Sequence, residues 1–353
     1  AIVQEMGTRM GVMTGKGLAD LVRERFGVRI TLGVMGILVL ANLANTASEF
    51  AGVAASLEIF GVSRYLSVPL AVALVSWLVV KGTYRIVERI FLGASLFYTV
   101  YIISAFLAHP PWPEIARQTI QPTVRLERDY LLMLITLVGT TIAPWMQFYL
   151  QSSIVDKGVR VKQYRYARLD AIFGSLVATA VAFFIIVSCG ATLYAHGVRV
   201  ETAGQAAMAI RPFAGRYASL LFALGLLNAS IFSAAIVPLS TAYAVCESLG
   251  WETGVDRSLK EAPSFFAIYL GMVAVGAALT LWPKAPLLKI MVLSQTLNGI
   301  LLPLVLFLML KLINDRDVMG PYVNSRWTNV LAWGTALVLI LLPLVLLFMS
   351  LIS

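Results

Sequence analysis

The chain has 353 residues, of which 59% are hydrophobic and 13% charged, with a mean hydropathy of +0.84. A soluble domain of that length needs far more polar surface, so the composition indicates a polytopic membrane protein. The net charge of +9 raises nucleic acid as a partner, but the basic residues lie in short loops between apolar runs, where membrane topology accounts for them better. Residues 1–12 read as the tail of a membrane helix, without an initiator Met or a charged leader region, and upstream sequence is expected. A short polar helical connection follows Gly15-Lys16-Gly17 and ends near Arg29. Complete apolar spans are then expected at 31–60, 66–80, 86–107, 130–155, 169–194, 217–249, 265–281, 287–313 and 330–351. Several exceed the roughly 20 residues needed to cross a bilayer, which implies tilt or extension beyond it.

Alternate loops collect most of the 27 Lys and Arg residues: Lys16 to Arg29, Lys81 with Arg85 and Arg89, Lys157 to Arg168, Arg257 with Lys260, and Lys311 to Arg326. The positive-inside rule puts these loops in the cytoplasm and the C-terminus outside. His109 and His196 then fall in outer loops, away from any mid-membrane ligand or proton-carrying role. The outer loop 108–128 is rich in proline and long enough for a small cap. Cys189 and Cys246 lie within apolar runs, show no disulfide or zinc spacing, and read as core residues. The whole chain, 1–353, reads as a single transmembrane domain with no visible repeat array.

The span at 130–155 contains Gly139-Thr140-Thr141-Ile142-Ala143-Pro144-Trp145-Met146-Gln147. Pro144 removes one helical N–H and disfavours helical geometry at Ala143, so carbonyls a turn earlier, near Thr140, are expected to lose their partners. In hydrocarbon, free carbonyls are tolerated only where protein, water or an ion satisfies them, and helices interrupted at mid-membrane build substrate sites in transporters. The plainer alternative is a proline kink without a ligand.

Three further polar groups lie deep in apolar spans. Asn42, Asn45, Thr46, Ser48 and Glu49 share one span; a carboxylate there is costly, faces protein or water, and marks function or a structural hydrogen bond. Ser294, Gln295 and Asn298, beside Gly299 and Pro303, stack amides on one helix face, either for an ion or for bonds between helices. Asn228, Ser230 and Ser233 beside Gly225 read mainly as close helix packing.

These residues give the chain a resemblance to the Nramp family of divalent metal-ion transporters. Gln4-Glu5-Met6-Gly7-Thr8-Arg9-Met10-Gly11 with Thr14-Gly15, the Gly139-to-Pro144 break with Ser152-Ser153-Ile154-Val155, and Ser294-Gln295 before Pro303 resemble its second, sixth and tenth helices. The resemblance covers essentially the whole chain. It implies a LeuT-type fold of eleven helices, with the first, which carries Asp and Asn metal ligands in that family, upstream of Ala1. It maps a metal-facing carbonyl to Thr140, with Thr141 beside it, and the tenth-helix amide to Gln295, with Asn298 one turn on. It also marks Gly139, Pro144, Trp145 and Met146 as the break, and Glu49 as a proton-route glutamate. The family aspartate one turn earlier falls on Thr46, and the arginines completing that route are absent from 265–281. Where the family has Met-Pro-His, this chain has Ala143-Pro144-Trp145, so a thioether and an imidazole are both gone. This pattern is most similar to the Nramp-related magnesium transporter branch.

Ligand chemistry points the same way. Thioethers favour soft transition metals, whereas carbonyls, amides and water suit magnesium, calcium and manganese, and Ala143 leaves room for the waters that magnesium keeps. The expected activity is secondary transport of a divalent cation by alternating access in a bacterial inner membrane, with magnesium preferred, manganese tolerated and proton coupling weak or absent. The metal is substrate rather than cofactor, the bilayer is the only other partner expected, and no obligate protein partner is implied. The rivals are a proton-coupled manganese or iron importer of the same family, an organic-solute transporter of the same fold, and a non-transporting scaffold or receptor. Enzymatic activity is not expected, because no embedded nucleophile, base and orienting group occur together.

Overall fold

The computed structural model describes residues 1–81, 93, 95–121, 123 and 127–352. Among these residues every regular element is helical, as a hydrocarbon surrounding demands of a backbone that must satisfy its own hydrogen bonds. Helix α1 (Ile2–Thr14) stops at Gly15, whose φ of 64° lets its N–H return to the Gly11 carbonyl at 3.0 Å. Helix α2 (Leu18–Glu58) is bent at Gly27, φ 80°, which separates a short polar arm from the apolar span beyond it.

In order there follow α3 (Arg64–Val80), α4 (Thr99–Leu107), α5 (Trp112–Ile120), α6 (Arg128–Thr141), α7 (Pro144–Asp156), α8 (Tyr164–Thr192), α9 (Ala218–Leu249), α10 (Pro263–Leu281), α11 (Leu287–Ile313) and α12 (Arg326–Ile352). Among the described residues seven stretches are long and apolar enough to cross a membrane, α6 and α7 counting together as one. They correspond to seven of the nine expected spans. Helix α3, at 17 residues, is the shorter apolar eighth. The expected span at 86–107 lies partly outside the described residues, as do Arg85, Arg89 and Arg125. Part of the proline-rich loop forms helix α5, which seats Trp112 against Phe106 and Phe184, with ring centroids 4.9 and 6.4 Å away.

Helix α2 is the centre of the bundle, packed against α9, α10 and α11. Its first half shares a core with α1, α11 and α12 through Met6, Met10, Leu38, Leu302, Leu306 and Met309. Its second half shares another with α3, α9 and α10 through Phe50, Val68, Leu239, Phe265 and Tyr269. Small residues set these distances. Ser230 of α9 fills the space a Cβ on Gly52 would need, and Thr46 does the same at Gly276 of α10, the close helix approach that membrane bundles favour. Ser230 thus serves packing, as its surroundings in the sequence indicated. The periphery is apolar: Phe173 and Leu176 of α8 are 70% and 59% exposed, a belt suited to acyl chains and to an integral membrane protein.

Candidate functional site

Helices α6 and α7 are one apolar stretch interrupted for two residues. Ile142 sits at φ −133°, ψ 81°, and Ala143 is extended at φ −77°, ψ 141°, the geometry that a following proline imposes. Pro144 opens α7 at a position where its missing N–H costs nothing. The last α-type bond of α6 runs from Ile142 N–H to Val138 O at 2.9 Å. Pro144 has no N–H to offer Thr140, and among the described residues no backbone donor reaches the Gly139 or Thr140 carbonyl. The expected loss of carbonyl partners is therefore present.

Side chains around the break are disposed unevenly. Thr140 and Thr141 are exposed, and their hydroxyls donate back to Thr136 O (3.0 Å) and Leu137 O (2.8 Å), leaving the carbonyls as the available ligands. Ala143 and Pro144 are buried; Trp145 and Met146 are half-buried. The Ser240 hydroxyl of α9 donates to Trp145 O at 2.8 Å and fixes the first turn of α7.

The break is locked against α11. An added Cβ on Gly139 would lie 2.0 Å from Gln295 O and 2.4 Å from Gly299 N, and one on Gly299 would lie 2.2 Å from Ile135 O. The two backbones therefore touch through paired glycines. One turn away from the break, the Thr136 and Thr296 hydroxyls bond at 2.7 Å. Above them opens a cavity of about 1060 Å³ lined by Asp129, Met133, Thr136, Arg199, Lys289 and Thr296.

This junction brings the Gln295 backbone beside Gly139, while its side-chain amide and that of Asn298 are engaged with α2. Asn45 Nδ2 donates to Asn298 Oδ1 at 2.7 Å, and Asn298 Nδ2 donates to Asn45 Oδ1 at 2.9 Å. Asn298 Nδ2 also donates to Gln295 Oε1 at 3.2 Å, and Gln295 Nε2 to Ser294 Oγ at 3.2 Å. Of the two possibilities open for these amides, bonding between helices is the one realised for Asn298, which is fully buried. Asn42 donates to Thr241 Oγ1 of α9 at 2.9 Å, so α2 is tied to α9 and α11 by amides on one face.

Glu49 and Thr46 are not brought to the break. Thr46 is fully buried, bonded to Asn42 O at 2.8 Å and packed on Gly276. Glu49, one turn on from Thr46, is half-buried near Tyr98.

Sequence reasoning missed three buried polar residues. Gln147 and Gln151 lie one turn apart on α7, and Glu247 ends α9 against the α1–α2 connection. The i, i+4 spacing of the two amides just past a helix break was the one weak signal; Glu247, two residues from its helix end, offered none.

Comparison with known proteins gives the family and the fold. The family model described as natural resistance-associated macrophage protein-like, Nramp, matches residues 1–349. The divalent metal cation transporter MntH 1 of Pseudomonas aeruginosa is 28% identical over 94% of this chain and 78% of its own. MntH of Bacillus subtilis is 24% identical over 97% and 80%. Both are named as transporters rather than enzymes. A crystal structure of a mutant of the Eremococcus coleocola manganese transporter superposes with a TM-score of 0.76 at 21% identity, covering 97% of this chain and 76% of that one. The fold is the LeuT type, and the chain belongs to the Nramp family.

Proposed function

We propose that the chain is a secondary transporter that moves divalent metal cations by alternating access around the α6–α7 break. The cargo is magnesium first, with manganese tolerated. The observation that carries this reading is the pair of donor-free carbonyls at Gly139 and Thr140 in a break whose next residues are Ala143, Pro144 and Trp145. Hard oxygen ligands, with alanine in place of a thioether at residue 143 and tryptophan in place of an imidazole at 145, favour a hard, partly hydrated ion. The names of the relatives support a divalent metal as cargo, and their bacterial sources support a bacterial cytoplasmic membrane as location.

Thr140 and Thr141 contribute carbonyl oxygens. Gln295 contributes its amide oxygen, which accepts one bond from Asn298 and keeps a second lone pair. Asn298 orients that amide by holding it to Asn45. The cavity above Thr136 and Thr296 is the outer vestibule, if the basic loops face the cytoplasm as the positive-inside rule directs. Proton coupling is weak or absent, because Glu49 stands apart from the break and no histidine lies there.

The second reading, manganese as principal cargo with proton coupling, is favoured by the likeness to the manganese transporter structures. Uptake of magnesium into liposomes holding the purified chain, in competition with manganese, separates the two. The proposal requires saturable magnesium uptake that excess manganese reduces only partly. Manganese uptake with no magnesium uptake selects the second reading.

A further inference from the structure

We propose a second cation subsite on the cytoplasmic side of the break, built from the amide oxygens of Gln147 and Gln151 and the carboxylate of Glu247. It rests on the reading that the chain carries divalent cations. Among the described residues seven buried side-chain polar atoms have no hydrogen-bond partner, and four belong to these three residues: Gln147 Nε2 and Oε1, Gln151 Oε1 and Glu247 Oε2. Gln147 and Gln151 are fully buried, and Glu247 is 7% exposed. Buried polar groups without partners are rare and costly, and here they gather in one strip.

The fold aligns them. Gln147 and Gln151 share one face of α7 at i, i+4 spacing. Helices α7 and α9 run side by side in register: Ser240 bonds the Trp145 carbonyl, and seven residues later on each helix Glu247 lies beside Ser152. The strip therefore starts in the first turn after the break and ends at the α1–α2 connection. There Gln151 Nε2 donates to Lys16 O at 2.9 Å, which uses its donor end and leaves Oε1 as a free acceptor. The Glu247 carboxylate occupies the space that a Cβ on Gly17 would need.

A capping role explains part of this. The Glu247 carboxylate sits at the first turn of α2, beside Gly17 and the Ala19 N–H, a favourable place for a carboxylate. Capping leaves Oε2 unused and says nothing of the two glutamines. Neighbouring charges are already engaged: Asp20 pairs with Arg23 at 3.3 Å and Lys16 with Glu24 at 2.7 Å. What remains is two neutral amide oxygens and one carboxylate oxygen in file, the hard donor set that a partly hydrated divalent cation takes. A cation leaving the break toward the cytoplasm meets Gln147, then Gln151, then Glu247.

The test exploits an opposition between stability and transport. Gln147→Leu replaces an unpartnered buried amide with an apolar side chain of similar size and loses no bond. The subsite predicts a thermal midpoint unchanged or raised, with initial magnesium and manganese uptake into liposomes lowered about tenfold, the effect of one good ion contact. Glu247→Gln keeps shape and capping and is expected to lower uptake in the same direction with the fold intact. Undiminished uptake in either folded variant overturns the subsite while the transport reading stands. Should Gln147→Leu not fold, Glu247→Gln alone decides. Wild-type vesicles that take up no divalent cation overturn the transport reading, and the subsite with it.

Discussion

Two faces of the interrupted helix differ in how they are filled. On the α6 side, contact with α11 is closed by backbone: Gly139 and Gly299 interlock, Thr136 bonds Thr296, and the amides of Asn45 and Asn298 satisfy each other. On the α7 side, contact with α1 and α9 is equally buried, yet Gln147, Gln151 and Glu247 keep polar atoms without partners. Burial alone therefore does not distinguish a structural seam from a route. Hydrogen-bond satisfaction does: a seam spends its polar groups on itself, and a route keeps them for what passes.

The sharpest way to break the seam is Gly299→Ala. The new methyl would meet the Ile135 carbonyl oxygen at 2.2 Å, a backbone atom that cannot rotate away. Overpacking of this kind costs about 1–3 kcal/mol or more, so the expected outcome is a loss of monodisperse protein in size-exclusion chromatography. Gly139→Ala should behave alike. A smaller loss is expected for Asn298→Ala, which removes both bonds between the buried Asn45 and Asn298 amides and costs about 1–3 kcal/mol. A double-mutant cycle with Asn45→Ala should show the two effects to be strongly coupled. Thermal midpoints that simply add would mean that the amide pair is not a unit.

Gln295→Ala sharpens the comparison at its border, since this residue belongs to the seam through Asn298 and to the proposed site through its amide oxygen. The expected outcome is weakened magnesium uptake in protein that remains folded and monodisperse. Intact uptake with lowered stability would place Gln295 wholly in the seam. The smallest effect is expected at Glu49, which lies apart from both faces. Glu49→Gln should retain most transport, and a pH-sensitive dye inside the vesicles should report no acidification during magnesium influx. Acidification that follows influx and vanishes in Glu49→Gln would restore the proton-coupled alternative.

The helix order and the break were legible because they follow from local chemistry. Pro144 sets the conformation of Ala143 whatever surrounds it, and the limits of α11, 287–313, follow from an apolar run between Pro286 and Asn314. The pairing of Asn45 with Asn298 was not legible, because it joins residues 253 positions apart, and an amide reads the same whether it faces an ion or another amide. The glycine interlock was hidden for a related reason: Gly139 and Gly299 acquire meaning only from the backbone opposite. Glu247 lies at a helix end, where sequence alone does not distinguish a solvated carboxylate from a buried one. Gln147 and Gln151 resemble ordinary helix filler until burial is known.

The central claim is that hard oxygen ligands stand at the break with no thioether at residue 143, beside the free carbonyls, because that residue is alanine. Competition uptake in liposomes of wild type and Ala143→Met tests it most directly, since the substitution restores a thioether at a buried position beside the free carbonyls. The account predicts that wild type prefers magnesium and that Ala143→Met shifts preference toward manganese, iron and cadmium. An unchanged selectivity order in a folded variant would contradict it.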